Sequence, residues 1–222
     1  MTAVERAATV STDELYERAA AGLPCWVSDE GGQRIELPMA RWFGGARASA
    51  AERSADQAIL AECAGTTVDL GCGPGRFTAA MTARGVVALG VDSSAVAVRM
   101  TIARGALAMQ RDMFGPLPGA GHWARALLAD GNIGIGGDPV RVLRRSAELL
   151  HAGGIAVVEL DPPGTGIACD SLRFQTESAV GEWFHWARVG VDAIADVATA
   201  AGMTLLEVAE VAGRFVATIA RP

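Results

Sequence analysis

The chain reads as a doubly wound α/β domain: a mostly parallel, seven-stranded sheet with an antiparallel last strand, preceded by an N-terminal helical cap. Three observations predict this. From Thr66 onward short apolar runs alternate with amphipathic stretches, the rhythm of βα units. A glycine-rich loop separates the first run from the first helix. The last two runs are joined through Val211-Ala212-Gly213. A gap that short permits a hairpin and no parallel crossover.

The elements follow in order. Strands are expected at Thr66–Leu70, Val86–Val91, Ala106–Arg111, Trp123–Ala129 and Ile155–Leu160. The last is continuous and β-branched, as a strand buried on both faces should be. Helices are expected over Gly75–Arg84, Ala95–Arg104 and Pro139–Leu150, where Asp138 and Pro139 suit N-cap and N1. A final helix over Asp192–Ala201 ends at Gly202, and the hairpin runs through Thr204–Ala209 and Arg214–Ile219. Residues 1–60 read as a separate section and 61–222 as the main domain. In the first section Thr12-Asp13 is expected to cap a helix over Glu14–Ala21, a loop holds Cys25, Trp26, Gly31 and Gly32, and a helix covers Ala50–Cys63. Tyr16, Trp26, Trp42 and Phe43 concentrate there in an aromatic-poor chain, either as a packed cap on the sheet edge or as a lid over a site.

Composition bounds the function. The 222 residues are half apolar and one-fifth charged, enough for one domain with a real core. A net charge of −6, with no lysine and no basic run, gives no electrostatic footprint for nucleic acid or an anionic membrane. Cys25, Cys63, Cys72 and Cys169 have no metal-ligand spacing, so no metal is expected and free thiols in a reducing cytoplasm are. The start lacks a basic and apolar leader pattern, and no apolar stretch is long enough to span a bilayer. A homodimer is left open.

The strongest motif is Asp69-Leu70-Gly71-Cys72-Gly73-Pro74-Gly75-Arg76. A dinucleotide fingerprint is G-x-G-x-x-G, and Arg76 occupies its third glycine, which argues against a nicotinamide oxidoreductase. The pattern acidic-x-G-x-G-x-G instead resembles class I S-adenosylmethionine-dependent methyltransferases of the small-molecule type. The resemblance covers about Thr66 to Ile219, including the antiparallel last strand. Asp92 closes the second strand, where a carboxylate can take both ribose hydroxyls, with Ser93 beside it. Asp112 and Met113 follow the third strand. The resemblance implies that they take the adenine amino group and lie on its ring; the alternative for Asp112 is a loop cap. Cofactor contacts are thus expected at Asp69, Gly71, Gly73, Gly75, Asp92, Ser93, Asp112, Met113 and Asp130.

The resemblance implies methyl transfer from S-adenosylmethionine to a small molecule, with oxygen the expected acceptor atom. The alternative is a protein on the same fold that binds the cofactor without methylating. Asp130 and Asn132, at the end of the fourth strand, are the candidates for facing the methyl, with Asp130 also readable as a turn carboxylate. Glu182-Trp183-Phe184-His185-Trp186 lies where such enzymes carry their acceptor insert, so Trp183, His185 and Trp186 are expected to line or border the pocket. Strand alternation allows either His185 or the Phe184/Trp186 pair to face inward, not both. His185 and Asp130 are the catalytic candidates, and Tyr16 and Trp42 complete the acceptor set from under the cap. Asp161-Pro162-Pro163-Gly164 is similar to the signature of nucleic-acid amino-methyltransferases, but it follows the wrong strand and ends in glycine. It reads as a rigid exit turn.

Overall fold

The computed structural model describes residues 9–222. The first eight residues of the expected section 1–60, with the start read as lacking a leader, lie outside the described residues. The chain opens with helix α1 (Thr12–Ala20), followed by strands β1 (Trp26–Asp29) and β2 (Arg34–Glu36), a short helix α2 (Met39–Phe43) and helix α3 (Ala50–Glu62). Ser11 caps α1 by accepting from the Glu14 amide, so the cap expected at Thr12-Asp13 sits one residue earlier. A full capping box, Ser49 with Glu52, starts α3. The residues expected as a loop around Trp26 and Gly31 are a β-hairpin instead.

Then come β3 (Thr67–Leu70), α4 (Arg76–Ala83), β4 (Ala88–Asp92), α5 (Ala95–Ala103), β5 (Leu107–Gln110), β6 (Trp123–Leu128), α6 (Pro139–Leu149) and β7 (Leu150–Leu160). The Asp138 carboxylate accepts from the Arg141 amide at 2.9 Å, and Pro139 opens α6 as expected. Strands β8 (Ile167–Gln175) and β9 (Val180–Val189) form the insert, and α7 (Ile194–Ala200), β10 (Thr204–Val211) and β11 (Arg214–Ala220) complete the chain.

Seven strands form the main sheet in the order β10-β11-β7-β6-β3-β4-β5. The five from β7 to β5 are mutually parallel, and β11 runs antiparallel to β7. One face packs on α6 and α7 around Leu128, Leu143, Val158 and Ile194; the other packs on α3 and α4 around Ile59, Phe77, Met81 and Leu127. The order reverses between β3 and β6, so their carboxyl ends open a crevice there, the usual ligand position in such sheets.

A second sheet, β2-β1-β8-β9, is antiparallel throughout. It joins the N-terminal hairpin to the insert, through pairs such as Val27 with Phe174. It is docked on the main domain where β9 packs over a 3₁₀ turn at Asn132–Gly134. The approach is very close: a methyl group added at Gly134 would lie 1.8 Å from the Ala187 carbonyl oxygen, in backbone that cannot swing aside. Gly134→Ala is therefore expected to lower stability by about 2 kcal/mol or more, read as a reduced urea midpoint, because the two sheets must part to admit it.

Candidate functional site

The crevice holds a cavity of about 540 Å³. Its floor is the glycine loop after β3, its sides are the ends of β4, β5 and β6, and its roof is α1 and the inner face of the second sheet. A pocket of this size suits a cofactor-sized or drug-sized molecule.

Within the motif the residues divide. Gly71 and Gly73 border the cavity. A side chain at Gly71 would lie 2.6 Å from the Asn132 amide nitrogen, and one at Gly73 would lie 3.1 Å from the Tyr16 hydroxyl. Both glycines have positive φ, 75° and 52°, so turn and close approach each require them. Gly75 and Asp69 do not reach the cavity. Gly75 lets α4 pack on Thr101 of α5. Asp69 is buried under the loop, where it accepts from the Thr78 hydroxyl at 2.6 Å. Burial pushes its carboxyl up to about 6, against the opposing pull of that hydrogen bond. Both expected cofactor contacts are thus supports of the loop rather than parts of its surface.

Asp92 is on the cavity wall, with Ser93 beside it. One carboxylate oxygen accepts from the Gly73 amide at 2.9 Å and the other from the Ser94 amide at 2.8 Å. Burial raises its pKa, opposed by these amides. Asp112 accepts from the Phe114 amide at 2.9 Å, so it does cap its turn, yet it also borders the cavity with the buried Met113.

The end of β6 departs from expectation. Asp130 has φ 54°, unusual for a residue with a side chain, and its carboxylate is held by Arg76 through both terminal nitrogens. Arg41 and Arg214 stand at 3.4 and 3.6 Å. Burial alone would push this carboxyl up, but the three guanidiniums outweigh it and hold it below the usual range. Arg76 also binds Asp56, while Arg214 binds Asp56 and makes a two-pronged contact with Glu159. Asp130 and Asn132 both line the cavity, and Asn132 too is tied to the protein. Its amide donates to the carbonyls of Leu70 at 2.9 Å and Gly71 at 2.8 Å, tying β6 to the glycine loop.

On β9, Phe184 and Trp186 face the cavity, across from Leu172 and Phe174 of β8. Trp183 points the other way: it is 46% exposed and stacks against Arg173, so it does not line the pocket as expected. His185 is exposed at the rim, where it also lines the cavity, with its Cβ packed over Gly137. Phe184, His185 and Trp186 thus all border the cavity, where alternation predicts that one set faces away. Tyr16 and Trp42 both line the cavity. Burial, with the charges of Asp92, Cys72 and Asp130, raises the Tyr16 hydroxyl well above its ordinary pKa. The Trp42 indole nitrogen is buried without a hydrogen-bond partner.

Sequence reasoning missed Val27, Leu37, Leu172 and Phe174, which supply much of the apolar roof. The alternation Leu172-Arg173-Phe174 was a usable strand signal. Among the described residues no group of His, Cys, Asp and Glu could hold a metal ion, and no helix is long and apolar enough to cross a membrane.

The elevated Asp69 pKa has a measurable consequence. A carboxyl whose folded pKa lies above its unfolded value binds more protons in the native state, so its contribution to stability falls as pH rises from about 4 through about 6. Asp69→Asn removes this titration and keeps an acceptor for Thr78. Its stability relative to the parent should therefore rise by roughly 1–3 kcal/mol between pH 4 and pH 7 in paired denaturant titrations.

No family model and no curated protein matches the chain by sequence. Solved structures do match it. A methyltransferase from Bacteroides fragilis, in complex with S-adenosylhomocysteine, superimposes with a TM-score of 0.71 at 18% identity, covering 88% of this chain and 86% of its own. A sugar N-methyltransferase from Streptoalloteichus gives 0.60 at 18% identity over 98% and 97% of the two chains. The 1,6-didemethyltoxoflavin-N1-methyltransferase of Burkholderia thailandensis, with its acceptor and S-adenosylhomocysteine bound, gives 0.57 at 19% identity over 78% of each. Together with the strand order, the glycine loop and the antiparallel β11, these likenesses establish that the chain has the class I S-adenosylmethionine-dependent methyltransferase fold.

Proposed function

We propose that the protein is an S-adenosylmethionine-dependent methyltransferase acting on a small molecule with an apolar body. One observation carries this reading: a single cavity has a polar half built from the glycine loop, Asp92 and the Asp112-Met113 turn, and an apolar half built from the second sheet. The residues fit the cofactor. Gly71 and Gly73 leave backbone open where any Cβ would intrude, and Asp92 keeps free lone pairs for two ribose hydroxyls. Asp112 and Met113, on the cavity wall, would take the adenine amino group and ring. Bound there, the cofactor supplies an activated methyl group on a sulfonium.

The protein's own work is then alignment and exclusion of water. Asp92 is already fixed by two amides, so it costs little to order when the ribose arrives. Leu172, Phe184 and Trp186 hold the acceptor's apolar body against the end of β6. Tyr16 closes the chamber over Gly73. Asp130 is a positioning residue in this reading. Its carboxylate is neutralised by arginines, which argues against a role as base and for a role in setting Arg76 and the loop. His185 borders the chamber at its exposed rim, beside Trp186. The solvent-facing acidic chain and four free cysteines suit a soluble, cytoplasmic enzyme that does not handle nucleic acid.

Calorimetry tests the reading. The protein should bind S-adenosylhomocysteine, and NAD should not compete. Gly73→Val drives a side chain into the ligand path and the Tyr16 hydroxyl, and should abolish binding while thermal unfolding stays cooperative. Asp92→Ala removes a charged acceptor for the ribose and should weaken binding at least tenfold, about 1.4 kcal/mol. Binding of NAD in place of S-adenosylhomocysteine would sink the assignment. For Asp130→Asn, the expected result is a loss of about 3–5 kcal/mol in stability, since Arg76 is left underpaired in a buried site. An Asp130→Asn protein of parental stability with only its turnover lost would restore Asp130 as a catalytic group.

A further inference from the structure

A second cavity, of about 650 Å³, adjoins the chamber. Val27, Asp130, Leu172 and Trp186 line both, so the inner face of the second sheet runs on from one to the other. Ile35, exposed on that face, extends its apolar wall into the second cavity. The cofactor and its methyl account for the chamber and leave this adjoining space unexplained.

Arg41, on α2, lines the second cavity and not the first. Its guanidinium is left short of partners. The Nε is buried and makes no hydrogen bond, and no described residue accepts from the terminal nitrogens. Asp130 Oδ1 stands 3.4 Å from that Nε, but the Asp130 carboxylate is already held by both terminal nitrogens of Arg76. Buried donors without an acceptor are rare in native folds because they forfeit their hydration for nothing. An arginine presents five N–H donors in a planar fork, and a carboxylate matches that fork with two parallel hydrogen bonds.

The other cations of the cavity are bound. Arg214 is held by Glu159 and Asp56, and Arg188 by Asp170 at 3.3 Å. Asp29, which accepts from the Gln33 amide, and Asp161 add negative charge to the walls. They oppose an anion over most of the cavity, though solvent and salt screen that repulsion with distance. Two short charge-assisted hydrogen bonds are not screened in this way, so an anion gains only where it reaches the Arg41 fork directly. That place borders Asp130, at the boundary between the two cavities.

We propose that the second cavity is the outer part of the acceptor site, and that Arg41 there takes a carboxylate on an acceptor whose apolar body lies beneath Leu172 and Trp186. This rests on the methyltransferase reading and names its substrate class: a small organic acid with an apolar body. The carboxylate is the acceptor's and not that of the cofactor's amino-acid end, because Arg41 stands outside the chamber that contains Asp92 and the glycine loop.

Calorimetry tests this with the full chain saturated with S-adenosylhomocysteine and three probes of one shape: 3-phenylpropanoate, its neutral amide, and 3-phenylpropylamine. The carboxylate should bind at least tenfold more tightly than the amide, and the amine more weakly than the carboxylate. Arg41→Gln should bring carboxylate and amide to within twofold of each other. Arg41→Lys keeps the charge and loses the fork, and should cut the ratio at least threefold; it decides the matter alone if Arg41→Gln fails to unfold cooperatively. S-adenosylhomocysteine should bind both variants within about threefold of the parent. Equal binding of carboxylate and amide, tighter binding of the amine, or an unchanged ratio in the variants each overturns the proposal. So does a tenfold loss of S-adenosylhomocysteine binding in Arg41→Gln with the probes unaffected, which would assign Arg41 to the cofactor. All these outcomes leave the methyltransferase reading standing so long as the parent binds S-adenosylhomocysteine; if it does not, both fall.

Discussion

The ion pair between Arg76 and Asp130 is the constraint on which the site depends. Arg76 opens α4, directly behind the glycine loop, and Asp130 ends β6 in a left-handed backbone conformation. Around this pair, Arg214 of β11, Glu159 of β7, Asp56 of α3 and Arg41 of α2 complete a set of three arginines and three carboxylates. Six elements from every part of the chain are thereby fixed relative to one another at the carboxyl edge of the sheet. Buried charge is tolerated only when paired and hydrogen-bonded. Every charge in the set has a partner of opposite sign, although the buried Arg41 Nε is paired to Asp130 at 3.4 Å without a hydrogen bond.

A consequence of the same network is where the chamber has to sit. Arg76, Asp130 and Arg214 stand above β6 and β7; the chamber lies beside them, by the glycine loop and under the second sheet, and a second cavity opens over Asp130, Glu159 and Arg214. That sheet is assembled from segments far apart in sequence. The N-terminal hairpin supplies Val27, and the insert supplies Leu172, Phe174, Phe184 and Trp186. Neither half could bury its apolar face alone, since an isolated hairpin is marginal in water. Pairing β1 to β8 therefore builds the apolar roof and fixes its register in one step. The close contact of β9 over Gly134 then transmits that register to Asn132, which holds the glycine loop by two hydrogen bonds.

This explains which parts were legible in the sequence. The seven-stranded sheet followed from local patterning, because parallel strands buried on both faces are continuous apolar runs and so short a gap forces a hairpin. Asp92 was legible because it ends such a run at a fixed distance from the glycines. The strands around Trp26 and Arg34 were not, because β2 is three exposed residues whose only reason to be extended is a partner contributed by β1. The ion pairs of Asp130 were not legible for a related cause. A lone aspartate at a strand end carries no sign of three arginines brought to it by tertiary folding. Alternation on β9 narrowed the inward set to His185 or to Phe184 with Trp186, but at the rim all three border the cavity, which alternation alone does not foresee.

The N-terminal section is bonded into the cofactor side as firmly as into the acceptor side. Asp13 of α1 accepts from the Ser94 hydroxyl at 2.5 Å and the Val96 amide at 3.1 Å, at the start of α5. Ser94 in turn donates its amide to Asp92, and Asp92 holds the Gly73 amide under the Tyr16 hydroxyl. A closed circuit thus runs from α1 through the start of α5 to the glycine loop and back to α1. Because Asp13 has its carboxyl lowered chiefly by the Ser94 hydrogen bond, the circuit is strongest when that group is ionised. The residues that would read the ribose are therefore ordered by the same contacts that close the chamber, which is how a fold with a short glycine loop can present Asp92 in one fixed orientation.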